Sequence, residues 1–365
     1  MRFRALLLSL VAIAGCRSSG VDRDVADFAM TQVPFDRAFV LIDTMRLGDS
    51  ATAVGNPADL LPVPEGLMIA DAGLANLAVF DRQSGERVRV VGRPGDGPGE
   101  FRGPTALAPG MRGSVVVMDL RRKLLSRRTA AGDLDTELHL NGRPTAMTTL
   151  PDGRLILFGR LRTSAADSVP FDAPVPIIHE IDSAGVIVGS HHVVPWPTDS
   201  WRATYANYFG TAVGSVIVAG SFHSAELHFE DLASGRSWST LLRAPWFHEP
   251  EWPTDSRALS GESAAEERRE WLARQTLVHR VTNIGKGRVV AEVDFKEVDS
   301  SAEYGYIVVD TTGRVLQSTE RTPVRLLRLE ADTLLGLRLN DDGSLVLERR
   351  VPNESLLIGV KRGRS

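Results

Sequence analysis

The residues whose chemistry asks for an explanation are eight histidines, one cysteine, and arginines placed just ahead of strand-opening prolines. The histidines lack chelating spacing. HExxH is absent, and adjacent His191 and His192 fall on opposite faces of any strand. His223, His248 and His279, two from loops and one from a strand, are the trio that a fold would have to gather for a metal site. Unspaced histidines otherwise serve as polar surface or satisfied core. Without GxSxG there is no nucleophile elbow. GxxxxGK[ST] is also missing, and the stretch from Gly95 to Gly99 opens no helix, so no phosphate cradle is signalled. Arg102, Arg143 and Arg321 each precede a proline by one or two residues, Arg202 holds a similar place, and Arg280 lies within a strand pattern. If they converge they form a cationic funnel in an acidic chain of formal net charge −4; if not, each pairs with a carboxylate such as Glu100 or Glu320.

The elements that must position these residues are short strands between tight turns. An Asp followed within a few residues by Gly recurs at Asp81–Gly85, Asp182–Gly185, Asp231–Gly235 and Asp310–Gly313. The acidic side chain caps the turn and the glycine accepts positive φ. A second set of turns, such as Pro151–Gly153 and Gly285–Gly287, separates apolar or alternating runs like Arg154–Phe158 and Arg288–Val293. Units of about 40–50 residues with four strands each are the pattern of propeller blades. Between the first two units lies GRPGDGPGEFRGP, Gly92 to Pro104, a shaped loop that suits neither a helix nor a central strand.

PGEF with a following proline, then an apolar strand, a Gly turn and VVVMD, resembles the NHL-type six-bladed β-propellers. IADAGLANLAVFDRQSG resembles the same repeat, with its Asp, Asn and Val-Phe-Asp in place. The resemblance implies an all-β, TolB-like fold of six blades at about 56–92, 104–141, 143–194, 203–243, 276–320 and 322–350. The sixth shows three strands. An open edge there needs a partner, and Phe39–Leu47 is expected to supply it, with Leu356–Val360 as the rival. In such a repeat Asp71 and Asp119 brace the turn after the second strand, calcium ligation being the sharper alternative. The resemblance also offers a zinc lyase or lactonase-like enzyme as the alternative function, with His223, His248 and His279 the nearest echo of its ligands. The basic run Arg121, Arg122, Lys123, Arg127 and Arg128 reads as a solvated outer strand.

With four strands per blade, the short glycine turns share one face and the long segments the other. One long segment, 244–276, carries a helix from Ser263 with a Ser-x-x-Glu capping box. Trp196, Trp201, Tyr205, Trp246, Phe247 and Trp252 gather in these segments as a candidate contact surface.

The amino terminus gives an address. Arg2 and Arg4 precede an uncharged stretch, Ala5–Gly15, whose helical rise of about 16 Å is far short of a bilayer core of about 30 Å. Residues 1–15 read as a secretory signal ending in Ile-Ala-Gly-Cys, a lipobox that makes Cys16 the acylated residue. As the chain's one cysteine, it has no disulfide partner within it. Residues 16–37 are expected to be a tether, 38–352 the propeller and 353–365 a tail. The expected protein is a lipid-anchored binding or scaffold module of the bacterial cell envelope, without a cofactor. Because no Asp follows Cys16, it is expected in the outer membrane, facing periplasm or exterior. Its partners are the membrane and a protein, peptide or glycan. The acidic balance argues against nucleic acid. Replacing Cys16 with Ser is expected to move the protein from the detergent phase to the aqueous phase on phase partitioning; retention in detergent would refute acylation there.

Overall fold

In the blades' middle strands most side chains are covered, so they read as largely apolar runs; Gly66–Asp71 (GLMIAD) is buried at all six positions. Such strands need packing partners on both faces, and a ring of sheets supplies them. The computed structural model describes residues 32–49, 52–161, 174–182, 185–194, 207–222, 224–251, 263–295, 303–340 and 342–357. These form a six-bladed β-propeller whose blades are antiparallel sheets of four strands; one blade carries a fifth, parallel strand. The inner strands are Pro57–Val63, Pro104–Pro109, Gly142–Thr149, Tyr208–Val213, Leu277–Gly285 and Arg325–Glu330. Each neighbours the next, and the sixth returns to the first. Six apolar cores fill the six spaces between adjacent blades.

Ring closure falls to the amino-terminal segment. Phe39–Leu47 pairs antiparallel with Leu345–Pro352, from Phe39 opposite Pro352 to Leu47 opposite Leu345, with a register shift between Leu41 and Asp43. Of the rival segment, residues 354–357 form a short helix whose Leu357 packs with Phe35, Ala38 and Phe39, and 358–360 lie outside the described residues. The junction is held by Arg350, 4% exposed, which donates to the Phe39 carbonyl and Asp36 at 2.7 Å and pairs with Glu348 at 2.6 Å. Its guanidinium also lies 4.6 Å from the Phe35 ring centre.

The body begins earlier than the expected tether boundary. Gln32–Val33 adds to the outer strand Val315–Thr319 of blade five, and Phe35–Ala38 is a helical turn with Phe35 and Ala38 buried. A tether would leave Phe35 in water. Burial against Tyr306 and Phe39 removes that cost.

The turn chemistry is local. Asp81 accepts the amides of Gln83 and Ser84, and Gly85 follows at φ +73°. Asp71 accepts the amides of Gly55, Asn56, Gly73 and Leu74, and Asp119 those of Arg102, Gly103 and Arg122, so both brace the long-loop face. The basic run departs from expectation. Leu124–Arg128 is the third strand of blade two, inside Leu134–His139, and Arg122 and Arg128 are largely covered. Arg128 lies 4.7 Å from the ring centre of buried Phe101 and donates to the Gly99 carbonyl. Arg122 donates to the carbonyls of Glu100 and Asp96. A loop rich in glycine and proline satisfies few of its own carbonyls, and these guanidinium groups do it instead.

Deleting residues 17–48 removes the closing strand and the Phe35 turn together. The expected result is a melting temperature lower by about 10 °C or more, with self-association through the exposed edge. A monomeric truncation with an unchanged melting curve would contradict this closure.

Candidate functional site

Every inner strand enters from the long-loop face, because the links between blades lie there and the first hairpin turn lies at the other end. Side chains early in these six strands therefore meet around one axis. They enclose a cavity of about 560 Å³ lined from all six blades. Its ionisable lining comprises Asp59, Arg143, Tyr208, His279, Arg280, Arg325 and Arg328.

Asp59 is the hub. Its carboxylate is 6% exposed and accepts the amides of Leu60 and Leu107, both at 2.9 Å. Arg280 from blade five reaches Oδ1 at 3.2 Å, and Arg328 from blade six reaches Oδ2 at 3.4 Å. Arg280 also donates to the Ala58 carbonyl, and Arg328 to those of Leu60 and Leu107. One carboxylate thus joins blades one, two, five and six, and two guanidinium groups share it. Burial lowers the Arg328 pKa from its ordinary value, with Asp59 opposing and the neighbouring Arg280 charge adding to the fall.

Arg325 is held differently. Its Nε donates at 3.1 Å to Glu292, a carboxylate only 1% exposed. Burial is the largest single influence and acts against the Arg325 charge, but Glu292 together with Tyr304 and Tyr306 raises the pKa above the ordinary value. The Tyr306 hydroxyl approaches Glu292 at 3.4 Å, donates to the Val324 carbonyl at 2.8 Å and accepts the Leu326 amide at 2.8 Å. Beside it, burial pushes the Tyr304 phenol up to about 12, with the Arg325 and Arg280 charges opposing. At the rim, Arg143 donates to Asn207 at 3.2 Å. His279 stands 3.8 Å from Asp294, and its ring lies 4.3 Å from that of Phe222.

Of the cations expected at the channel mouth, Arg143 and Arg280 line the cavity. Arg102 does not: it is exposed and paired with Asp96 on the glycine-rich loop. Nor does Arg321, which stacks 4.0 Å from the Phe295 ring centre near Glu303. Both sit in inter-blade links one turn before the inner strand starts, and that displacement turns them outward. Arg202 lies outside the described residues, as do Cys16, Trp196, Trp201, Tyr205, Trp252 and His223. His279 and His248 do not meet. His248 is exposed on the insertion, its backbone tied to Thr276. Among the described residues no group of three or more His, Cys, Asp or Glu is arranged to hold a metal ion.

Trp246 and Phe247 are half-buried. Trp246 donates to the Thr319 carbonyl at 2.9 Å, packs against Phe295 at 5.2 Å, and occupies the space that a side chain at Gly305 would need. Phe247 meets it edge-on at 6.4 Å. The helix Ser263–Arg274 is seated by Trp271, 8% exposed, whose Nε1 donates to the Glu251 carbonyl. Much of the aromatic area in this insertion is thus spent on attaching it to the propeller.

Asp59, Glu292, Arg325 and Arg328 are missing from the sequence-level candidates. A signal for Asp59, Arg325 and Arg328 existed. PADLLP and VRLLRLE place charges inside first strands, where neighbouring strands converge and a lone charge is costly.

No family model and no curated protein matches this chain. Among solved structures it is similar to a Bacteroides fragilis protein named as exported, with TM-score 0.59, 14% identity, and coverage of 89% of this chain and 98% of that one. It is also similar to a member of the DUF4221 family from Bacteroides vulgatus, with TM-score 0.57, 9% identity, and coverage of 86% and 97%. At these identities the shared property is the fold.

Asp59→Asn leaves two neighbouring guanidinium groups without their common counter-charge. The expected loss of stability is about 3–5 kcal/mol by chemical denaturation. Adding Arg280→Gln should cost less than the sum of the single effects, because the groups act as a unit. Strict additivity would show that Asp59 is not the hub.

Proposed function

We propose that this chain is a lipid-anchored, extracytoplasmic binding module that seats its ligand at the long-loop end of the central channel. The observation that carries the reading is the cavity itself. Six strands from six blades bring polar and charged residues to one half-open space on the axis. Its volume of about 560 Å³ falls within the range of small-molecule sites. The address rests on the signal-like amino terminus and the lipobox at Cys16, and the fold shared with an exported protein supports it. Outer-membrane attachment, facing periplasm or exterior, follows from acylation without a following Asp. The long segments around the rim, with their aromatic residues, are where a larger partner would meet the propeller.

The test is a thermal-shift screen of the full-length protein in detergent against glycan and peptide pools, divalent metals and a chelator. Thr148→Trp, which fills the cavity from the third inner strand, serves as the blocked control. A ligand that raises the melting temperature by about 2 °C or more in the parent and not in Thr148→Trp is the expected result. Ligands that act equally on both proteins would move the site off the channel. Loss of stability with chelator would point to the metal-dependent reading instead.

A further inference from the structure

We propose that the channel ligand is an acidic saccharide, its carboxylate or phosphate held by Arg325 and Arg280 and its hydroxyls by the threonine-lined wall; this rests on the channel reading above. Charge comes first. Four arginines line the cavity against one lining carboxylate, Asp59, in a chain whose formal net charge is −4. With Glu292 behind Arg325 counted as well, the cations still exceed the carboxylates. An enclosed excess of one sign in a molecule of the other attracts and orients an oppositely charged ligand.

The guanidinium groups also keep donors in reserve. Arg325 spends Nε on Glu292, and its two terminal nitrogens have no acceptor among the described residues. Arg280 spends both terminal nitrogens on Asp59 and the Ala58 carbonyl, and its Nε has none. The two side chains are 27% and 21% exposed, and both line the cavity. Two fixed guanidinium groups suit a planar carboxylate or a phosphate, and partial burial strengthens such pairs. Arg143 at the rim extends the positive path to solvent.

The rest of the wall mixes apolar residues with neutral polar ones. Thr148, Thr211 and Asn56 are among the residues that line the cavity. They offer hydroxyl and amide groups in positions a polyol can use. Phe222 and His279, with rings 4.3 Å apart, provide an aromatic wall suited to the C–H face of a sugar ring. A simple inorganic anion would use the arginines and leave this wall idle. A neutral sugar would use the wall and leave the arginines unmatched.

Titration calorimetry on the full-length protein in detergent, at low and moderate salt, separates these cases. The probes are glucuronate, glucose 6-phosphate, glucose and inorganic phosphate. One of the two acids is expected to bind about tenfold or more tighter than glucose and than phosphate, and to weaken as salt rises. Arg325→Gln should weaken that acid about tenfold. Because that change strands buried Glu292 and risks misfolding, Arg143→Gln at the open rim is measured beside it, with about a threefold loss expected. Glucose binding as tightly as the acids, phosphate alone binding as tightly, or both variants binding the acid like the parent would each overturn the inference. A neutral ligand blocked by Thr148→Trp would overturn it while leaving the channel reading intact. Binding of the acid unchanged in Thr148→Trp would overturn both.

Discussion

A ring of blades must end where it began, and the hydrogen bonds between Phe39–Leu47 and Leu345–Pro352 meet that constraint here. Without them blade six would present a bare strand edge and blade one would lack its neighbour's outer support. The joint is more than a zipper of amides. Arg350 draws Asp36, Glu348 and the Phe39 carbonyl together in a nearly dry setting, and Phe35 and Phe39 pack on Tyr306 of blade five. The two ends of the body are thereby joined across two sheets. Once the ring is closed, the inner strands have no freedom but to face one another.

That enforced convergence explains the charged axis. A charge inside a strand of an ordinary sandwich would be buried beside apolar layers and destabilise it. On a propeller's inner strand it meets equivalents from the other blades, so a few residues far apart in sequence neutralise each other. Asp59 and Arg328 are separated by 269 positions and Asp59 and Arg280 by 221. Such a hub is sensitive to loss of one partner, since the remaining charges stay behind without compensation. The same arrangement leaves guanidinium donors beside a cavity of molecular size, which links the stability of the ring to what the channel can hold.

The long-loop face shows how attachment and exposure compete for the same side chains. Phe101 anchors the glycine-rich loop in the space between blades one and two, and Arg122 and Arg128 complete the loop's hydrogen bonding. Trp246 and Trp271 do the corresponding work for the insertion after blade four. A large aromatic ring in a long loop is a contact surface only in the part that its own scaffold leaves uncovered.

The sequence by itself determined the number of blades and their limits within a few residues. These follow from local signals: alternation of apolar residues and turn chemistry at Asp and Gly. The bracing roles of Asp71 and Asp119, and the preference for Phe39–Leu47 over Leu356–Val360 as the closing strand, came with the resemblance to six-bladed propellers. The early start of the body was less legible, since two paired residues and one helical turn are too short for a period to show. Only the tertiary structure decided which charges meet. Arg102 and Arg321 share with Arg143 a place just before a proline, yet they turn outward to Asp96 and to Phe295, while Arg143 lines the cavity. Arg325 and Arg328 look like ordinary strand residues until six blades are set around one axis. The physical reason is range. Turns and strands are fixed by neighbours along the chain, whereas a charge inside a ring is defined by partners hundreds of residues away, which no local pattern encodes.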